Sequence, residues 1–304
     1  MATAQTTPRT ILLAHGLLGF AKIGPVPYFN GVQRYFDSNC TFLTPSVAPA
    51  GAISERAAQL MQAIPPSLQR SGAGIHIVAH SMGGLDARYL MSAEGLHHAD
   101  WFASLTTIST PHLGSPLADL VTGQRTLQLS DLVGLAEVPA DILASILKAL
   151  KKPGSFDISL LAPKAIFDAL KDVRSYVADI FGTPPEAFNE LTTSYLRNHF
   201  NRQHPLLEHM PLLCYAGNSN PSLTMCRDLY VTWAYLKAMV GDSDGVVPVS
   251  SSTWGTFVRT TPADHLEEVG LAGFFDAFAP TIDHFDAGNL YRAINAWQKT
   301  LDPA

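Results

Sequence analysis

Three side chains in this 304-residue chain have the types and order needed for covalent acyl transfer: Ser81, Asp244 and His265. A serine hydroxyl is a weak nucleophile until an imidazole takes its proton. A carboxylate beside that imidazole fixes its tautomer and stabilises its cation. Ser81 sits in Ile75-His76-Ile77-Val78-Ala79-His80-Ser81-Met82-Gly83-Gly84, between a β-branched apolar run and a helix-compatible segment from Leu85 to Met91. A strand that turns sharply into a helix holds such a serine strained, with its hydroxyl outward, and crowds the neighbouring backbones. Small residues are therefore needed two positions to either side. Gly83 meets that need, and Ala79 stands where glycine is usual, one methyl larger. Asp244 lies in Gly241-Asp242-Ser243-Asp244-Gly245-Val246-Val247-Pro248, where Asp-Gly is also an ordinary turn signal. His265 lies in Ala263-Asp264-His265-Leu266-Glu267-Glu268. The order Ser, Asp, His joins the three into one reading; Asp242 and His284 are weaker rivals for the acid and the base.

Short apolar runs and helical stretches alternate around these residues. Residues 10–14 form a buried-strand pattern, and His15-Gly16-Leu17-Leu18-Gly19-Phe20 follows as a loop. In hydrolases with this layout, the loop after an early strand gives one oxyanion-binding N–H and the residue after the nucleophile gives the other. That assigns the backbone N–H groups of Leu17 and Met82. Residues 28–36 read as a helix and 41–44 as a strand. Ser54 reads as the N-cap of a helix running toward Ala63, which Pro65-Pro66 ends. Strands are expected over 75–79, 104–109 and 211–217. The pattern predicts an α/β-hydrolase fold, with a mostly parallel central sheet and helices on both faces. No linker, repeat or low-complexity block divides 1–304, so a single domain is expected. The alternation stops over 116–209. Ile142, Leu143, Ile146, Leu147 and Leu150 form one helical stripe; Ile166, Phe167, Leu170, Val173, Val177 and Ile180 form another. This insertion reads as a helical cap or lid.

Charged residues make up only 15% of the chain, against about 25% in ordinary soluble domains, and 47% is hydrophobic. Apolar surface is therefore expected outside the core. A formal net charge of −6 and no basic cluster argue against nucleic acid as a partner. No apolar run reaches 18 residues, so no transmembrane span is expected. Residues 1–10 lack an apolar signal-peptide centre, which leaves export by another route, a removed leader, or a cytoplasmic protein. Cys40, Cys214 and Cys226 are too few for a disulfide framework, and whether Cys214 and Cys226 pair is open.

The chain resembles the bacterial true lipases of the Pseudomonas, Burkholderia and Proteus group. The resemblance rests on the 15–20 loop, His80-Ser81-Met82-Gly83-Gly84, Arg88-Tyr89, Thr110-Pro111-His112-Leu113-Gly114-Ser115, Asp244-Gly245-Val246-Val247 and Asp264-His265-Leu266-Glu267-Glu268-Val269. Phe188-Asn189-Glu190-Leu191-Thr192-Thr193 is similar to a segment that follows the lid in that family. The resemblance implies a secreted triacylglycerol lipase with a helical lid, acting on acylglycerols at lipid–water interfaces; a monomer is expected. It also implies a structural calcium held by Asp228 and Glu267, although Glu267 replaces the usual aspartate and Leu271 a usual glutamine. A disulfide position of some members is Ser250 here. No organic cofactor is implied. The alternatives are a soluble carboxylesterase or thioesterase of the same fold and, from another class, a binding protein that has lost activity.

Overall fold

The computed structural model describes residues 8–17, 22–23, 26–126, 128, 185–205, 207–220, 225–226, 229–271 and 285–302. Eight strands are present there: β1 (Thr10–Ala14), β2 (Lys22–Ile23), β3 (Val26–Pro27), β4 (Thr41–Leu43), β5 (Ile75–His80), β6 (Phe102–Ile108), β7 (Leu212–Gly217) and β8 (Thr256–Thr261). Six of them make one sheet in the order β4-β1-β5-β6-β7-β8, every neighbouring pair parallel. β2 and β3 form a separate antiparallel pair. From β1 the chain moves outward to β4 and then returns to place β5 on the other side of β1. Strand order reverses between β1 and β5, and ligands of open parallel sheets gather at the carboxyl ends of the strands at such a point.

Parallel strands covered on both faces read as continuous apolar runs, and alternate side chains serve opposite faces. Leu12 and Ala14 join Ile75, Ile77 and Ala79 against Leu60, Ile64, Leu90 and Met91. Those partners belong to α1 (Ile53–Ala63) and α2 (Gly83–Met91), together with Ile64 just past the end of α1. Ile11 and Leu13, one position over, join Val78, Ile108 and Tyr215 against Leu290, Tyr291 and Ile294 of the C-terminal helix Gly288–Lys299. A third cluster lies beyond the strand ends. It gathers Leu17, Met82 and Leu85 with Leu117 and Val121 of α3 (Pro116–Val121), Phe188 and Leu191 of a 3-10 helix (Pro185–Leu191), and Trp233 and Tyr235 of α4 (Tyr230–Val240). Leu117, Val121, Phe188 and Leu191, at the described ends of the 116–209 stretch, pack in this cluster with Leu17 and Met82. The two predicted apolar stripes, over 142–150 and 166–180, lie outside the described residues.

Two local expectations are corrected. Over 28–36 only Val32–Tyr35 is helical, as one 3-10 turn, because Gly31 at φ 65° breaks the run. Ser54 is not a cap: α1 starts from Ala52, and its first N–H, on Ile53, is met by Glu190 Oε2 at 2.6 Å. No disulfide joins Cys214 and Cys226.

Candidate active site

β5 ends at His80 and α2 begins at Gly83, so two residues carry the whole reversal. Ser81 takes it up at φ 56°, a left-handed conformation that costs a non-glycine residue roughly 1–3 kcal/mol. The turn is held from both sides. The Ser81 N–H donates to Ile108 O at 2.9 Å, and its carbonyl accepts from the Thr110 hydroxyl at 2.8 Å. A Cβ at Gly83 would come 2.3 Å from Ala14 O, and one at Gly84 2.2 Å from Thr110 Oγ1. Close approach, not turn flexibility, sets the glycine requirement at both positions. Ala79 is fully buried beside Ala14 of β1, so its extra methyl is accommodated where glycine is usual.

Ser81, His265 and Asp244 meet in one line. The His265 Nε2 lies 3.0 Å from Ser81 Oγ, and its Nδ1 lies 2.7 Å from Asp244 Oδ2. Asp244 Oδ1 accepts from the N–H groups of Val246 at 2.8 Å and Val247 at 2.7 Å. The His265 N–H donates to Asp244 O at 3.1 Å, which ties the two loops backbone to backbone. Asp244 is fully buried, whereas Ser81 and His265 retain 6% and 5% exposure toward the cavity. The rival acid Asp242 stays on the surface with Lys237 at 3.3 Å, and the rival base His284 lies outside the described residues.

Leu17 and Met82 flank the hydroxyl. Among the described residues neither backbone N–H has a hydrogen-bond partner. The loop before Leu17 is anchored by Arg56, whose Nη2 donates to His15 O at 2.7 Å and whose Nη1 donates to Ala48 O at 2.7 Å. Arg56 pairs with Asp86 of α2 at 2.8 Å, both fully buried. The cavity in front of Ser81 is apolar, walled by Leu17, Pro111, Leu117, Phe188, Leu191, Val246 and Leu266.

A buried polar group beside His265 has no counterpart in the sequence reading. His80 packs against the His265 imidazole with ring centroids 4.4 Å apart. Its Nδ1 meets Tyr28 Oη at 2.7 Å and its Nε2 meets Glu268 Oε2 at 3.2 Å. Glu268 Oε1 accepts from Ser109 at 2.8 Å and Thr261 at 3.4 Å. Burial, with His265 nearby, holds the His80 imidazole well below its usual range. Burial and the Asp244 charge push the Glu268 carboxyl well above its own. Both shifts favour the uncharged forms. His80 and Glu268 lie inside the recognised motifs, but they are 188 residues apart, so local spacing cannot reveal that they pair.

The calcium expectation divides between two positions. Glu267 is buried, with Oε2 accepting from Asp264 N–H at 2.9 Å and Oε1 from Phe285 N–H at 3.1 Å. Neighbouring Asp264 accepts from Cys226, Leu266 and Glu267 N–H groups. Among the described residues, both carboxylates are held by backbone amides. Asp228 lies outside the described residues.

A parallel sheet that brings a serine, a histidine and an aspartate together at its carboxyl edge defines the α/β-hydrolase class of serine hydrolases. Comparison with known proteins narrows this. Triacylglycerol lipase of Pseudomonas fragi is 30% identical over 284 residues, covering 88% of this chain and 90% of that protein. The chain belongs to the triacylglycerol lipase family. Triacylglycerol lipase 2 of Saccharomyces cerevisiae is 27% identical over 260 residues, and the matched part covers 82% of this chain but 64% of the yeast protein. Lipase 1 from Pelosinus fermentans shares the fold, with a TM-score of 0.62 at 17% identity over 97% of this chain and 99% of that one. No family model matches the sequence.

Proposed function

We infer that the protein hydrolyses carboxylic esters of acylglycerols at lipid–water interfaces through an acyl-enzyme on Ser81. The observation that carries the reading is the Ser81–His265–Asp244 line opening into an apolar cavity. Ser81 Oγ attacks the ester carbonyl while His265 Nε2 takes its proton. Asp244 holds the Nδ1 proton and stabilises the imidazolium. The Leu17 and Met82 N–H groups receive the oxyanion, and loss of one such donor typically costs on the order of 10²–10³ in kcat. His265 then protonates the departing alcohol, and water repeats the sequence to release the fatty acid. The apolar walls suit an acyl chain. The sequence likeness to triacylglycerol lipases supports the substrate class.

The test is the initial rate on tributyrin across its solubility limit, with Ser81→Ala as the blank. We expect the rate to jump once droplets form. Saturation on dissolved substrate with no jump would overturn the interfacial part of the reading. No rate above the blank in either range would overturn all of it.

A further inference from the structure

Resting on the hydrolase reading above, we propose that His15 is a positioning residue for the oxyanion hole: its uncharged ring, with the proton on Nδ1, clamps the Gly16 carbonyl and so sets the direction of the Leu17 N–H. The ring is 2% exposed and is contacted at both nitrogens. The Val47 N–H points at Nε2 from 3.1 Å, and a backbone N–H can only donate, so Nε2 carries no proton. The proton of the neutral ring is therefore on Nδ1, which faces Gly16 O at 2.9 Å. A carbonyl can only accept. The two contacts demand the same tautomer, and each reinforces the other.

The consequence falls on the next atom along the chain. Gly16 C=O and Leu17 N–H belong to one planar trans peptide, so fixing the carbonyl direction sends the N–H the opposite way. That peptide leaves from beside the nucleophile: a Cβ at Gly16 would come 2.5 Å from Ser81 Cβ and 2.9 Å from Ser81 Oγ. Leu17 lines the same cavity as Ser81 and His265. Rotation of the peptide would turn the N–H away from a developing oxyanion, and preorganised donors are what such a site needs. The groups facing the ring are the Arg56 guanidinium, bound to the His15 carbonyl, and Tyr28, with its ring centroid 5.5 Å away. A cation on one side and an amide donor at Nε2 both oppose a second ring proton.

Asparagine and glutamine separate this role from mere filling of space. Asn places an amide N–H₂ near the position of Nδ1 and can still hold Gly16 O. Gln reaches instead toward the position of Nε2. The experiment measures kcat, KM and melting temperature for His15→Asn, His15→Gln and His15→Leu on a soluble p-nitrophenyl ester. Rates are normalised to the reactive serine titrated by a phosphonate, and the inhibition constant of an alkylboronic acid is taken as the tetrahedral-state probe. We expect Leu and Gln to lose kcat by on the order of 10², with KM little changed and boronate affinity weakened in parallel. Asn is expected to stay within several-fold of wild type. Equal normalised kcat across the three variants, with only the melting temperature lowered, would overturn the proposal, as would Asn behaving like Gln. If the Leu variant fails to fold, the Asn–Gln pair still decides. A wild type no faster than Ser81→Ala would overturn the parent reading and this one together, whereas an active wild type with indistinguishable Asn and Gln variants overturns this one alone.

Discussion

The strained φ of Ser81 is held by a backbone carbonyl and a threonine hydroxyl, and the tautomer of His15 by two backbone groups. Ile108 O and the Thr110 hydroxyl hold the first, and Val47 N–H and Gly16 O hold the second. Burial, and then the Arg56 charge, hold the His15 imidazole at about 4. The sign of its effect on stability follows. As pH falls, the unfolded chain takes up this proton near 6.5, before the folded protein does. The contribution is therefore complete above about 6.5 and is lost as pH falls toward about 4. That gap converts to about 3 kcal/mol. His80 and His112 act in the same direction, and the buried carboxyls of Asp86 and Glu268 act against it, but all four are common to wild type and variant. Urea unfolding at pH 7.5 and pH 4 should thus show wild type losing about 3 kcal/mol relative to His15→Asn. Parallel losses in the two proteins would show that the His15 ring is not held neutral.

At the scale of elements, the site depends on loops fastened by carboxylates to backbone amides. Glu190, from the end of the insertion, caps the first N–H of α1, and α1 carries the Arg56 that holds the His15 carbonyl. Glu267 joins the Asp264 N–H to Phe285 at the approach to the C-terminal helix. If that clamp does the work of a metal, a chelator leaves the melting temperature unchanged, while Glu267→Ala costs about 2–3 kcal/mol. A melting temperature lowered by chelator and restored by calcium would show a metal here instead. What the sequence disclosed about elements follows the same physics. β1 and β5 were legible because strands buried on both faces read as apolar runs, and the elbow because close backbone approach admits few residue types. β8 escaped because Thr256–Thr261 is an edge strand exposed at all but its last position. α4 escaped because Val231 through Leu236 are all buried, which erases the one-sided stripe that marks a surface helix. The Glu190 cap was illegible because donor and acceptor are 137 residues apart.

Across the whole molecule, the reversal of strand order between β1 and β5 puts the Leu17 loop and Ser81 side by side, while the loop after α4, packed against Gly217 at the end of β7, and the loop after β8 bring Asp244 and His265 to the same edge. Four loops widely separated in sequence converge only because the sheet is complete. The third apolar cluster then closes over them, and it lines the cavity that faces the hydroxyl. No helix among the described residues is long and apolar enough to cross a membrane. In the proposed mechanism this convergence makes Ser81 the nucleophile. Its most direct test is to react the folded protein with an alkyl fluorophosphonate and locate the adduct by peptide mass spectrometry. We predict one adduct per chain, on Ser81, forming rapidly in wild type and very slowly in His265→Ala. An adduct on another residue, or none at Ser81 in folded protein that hydrolyses esters, would contradict the assignment.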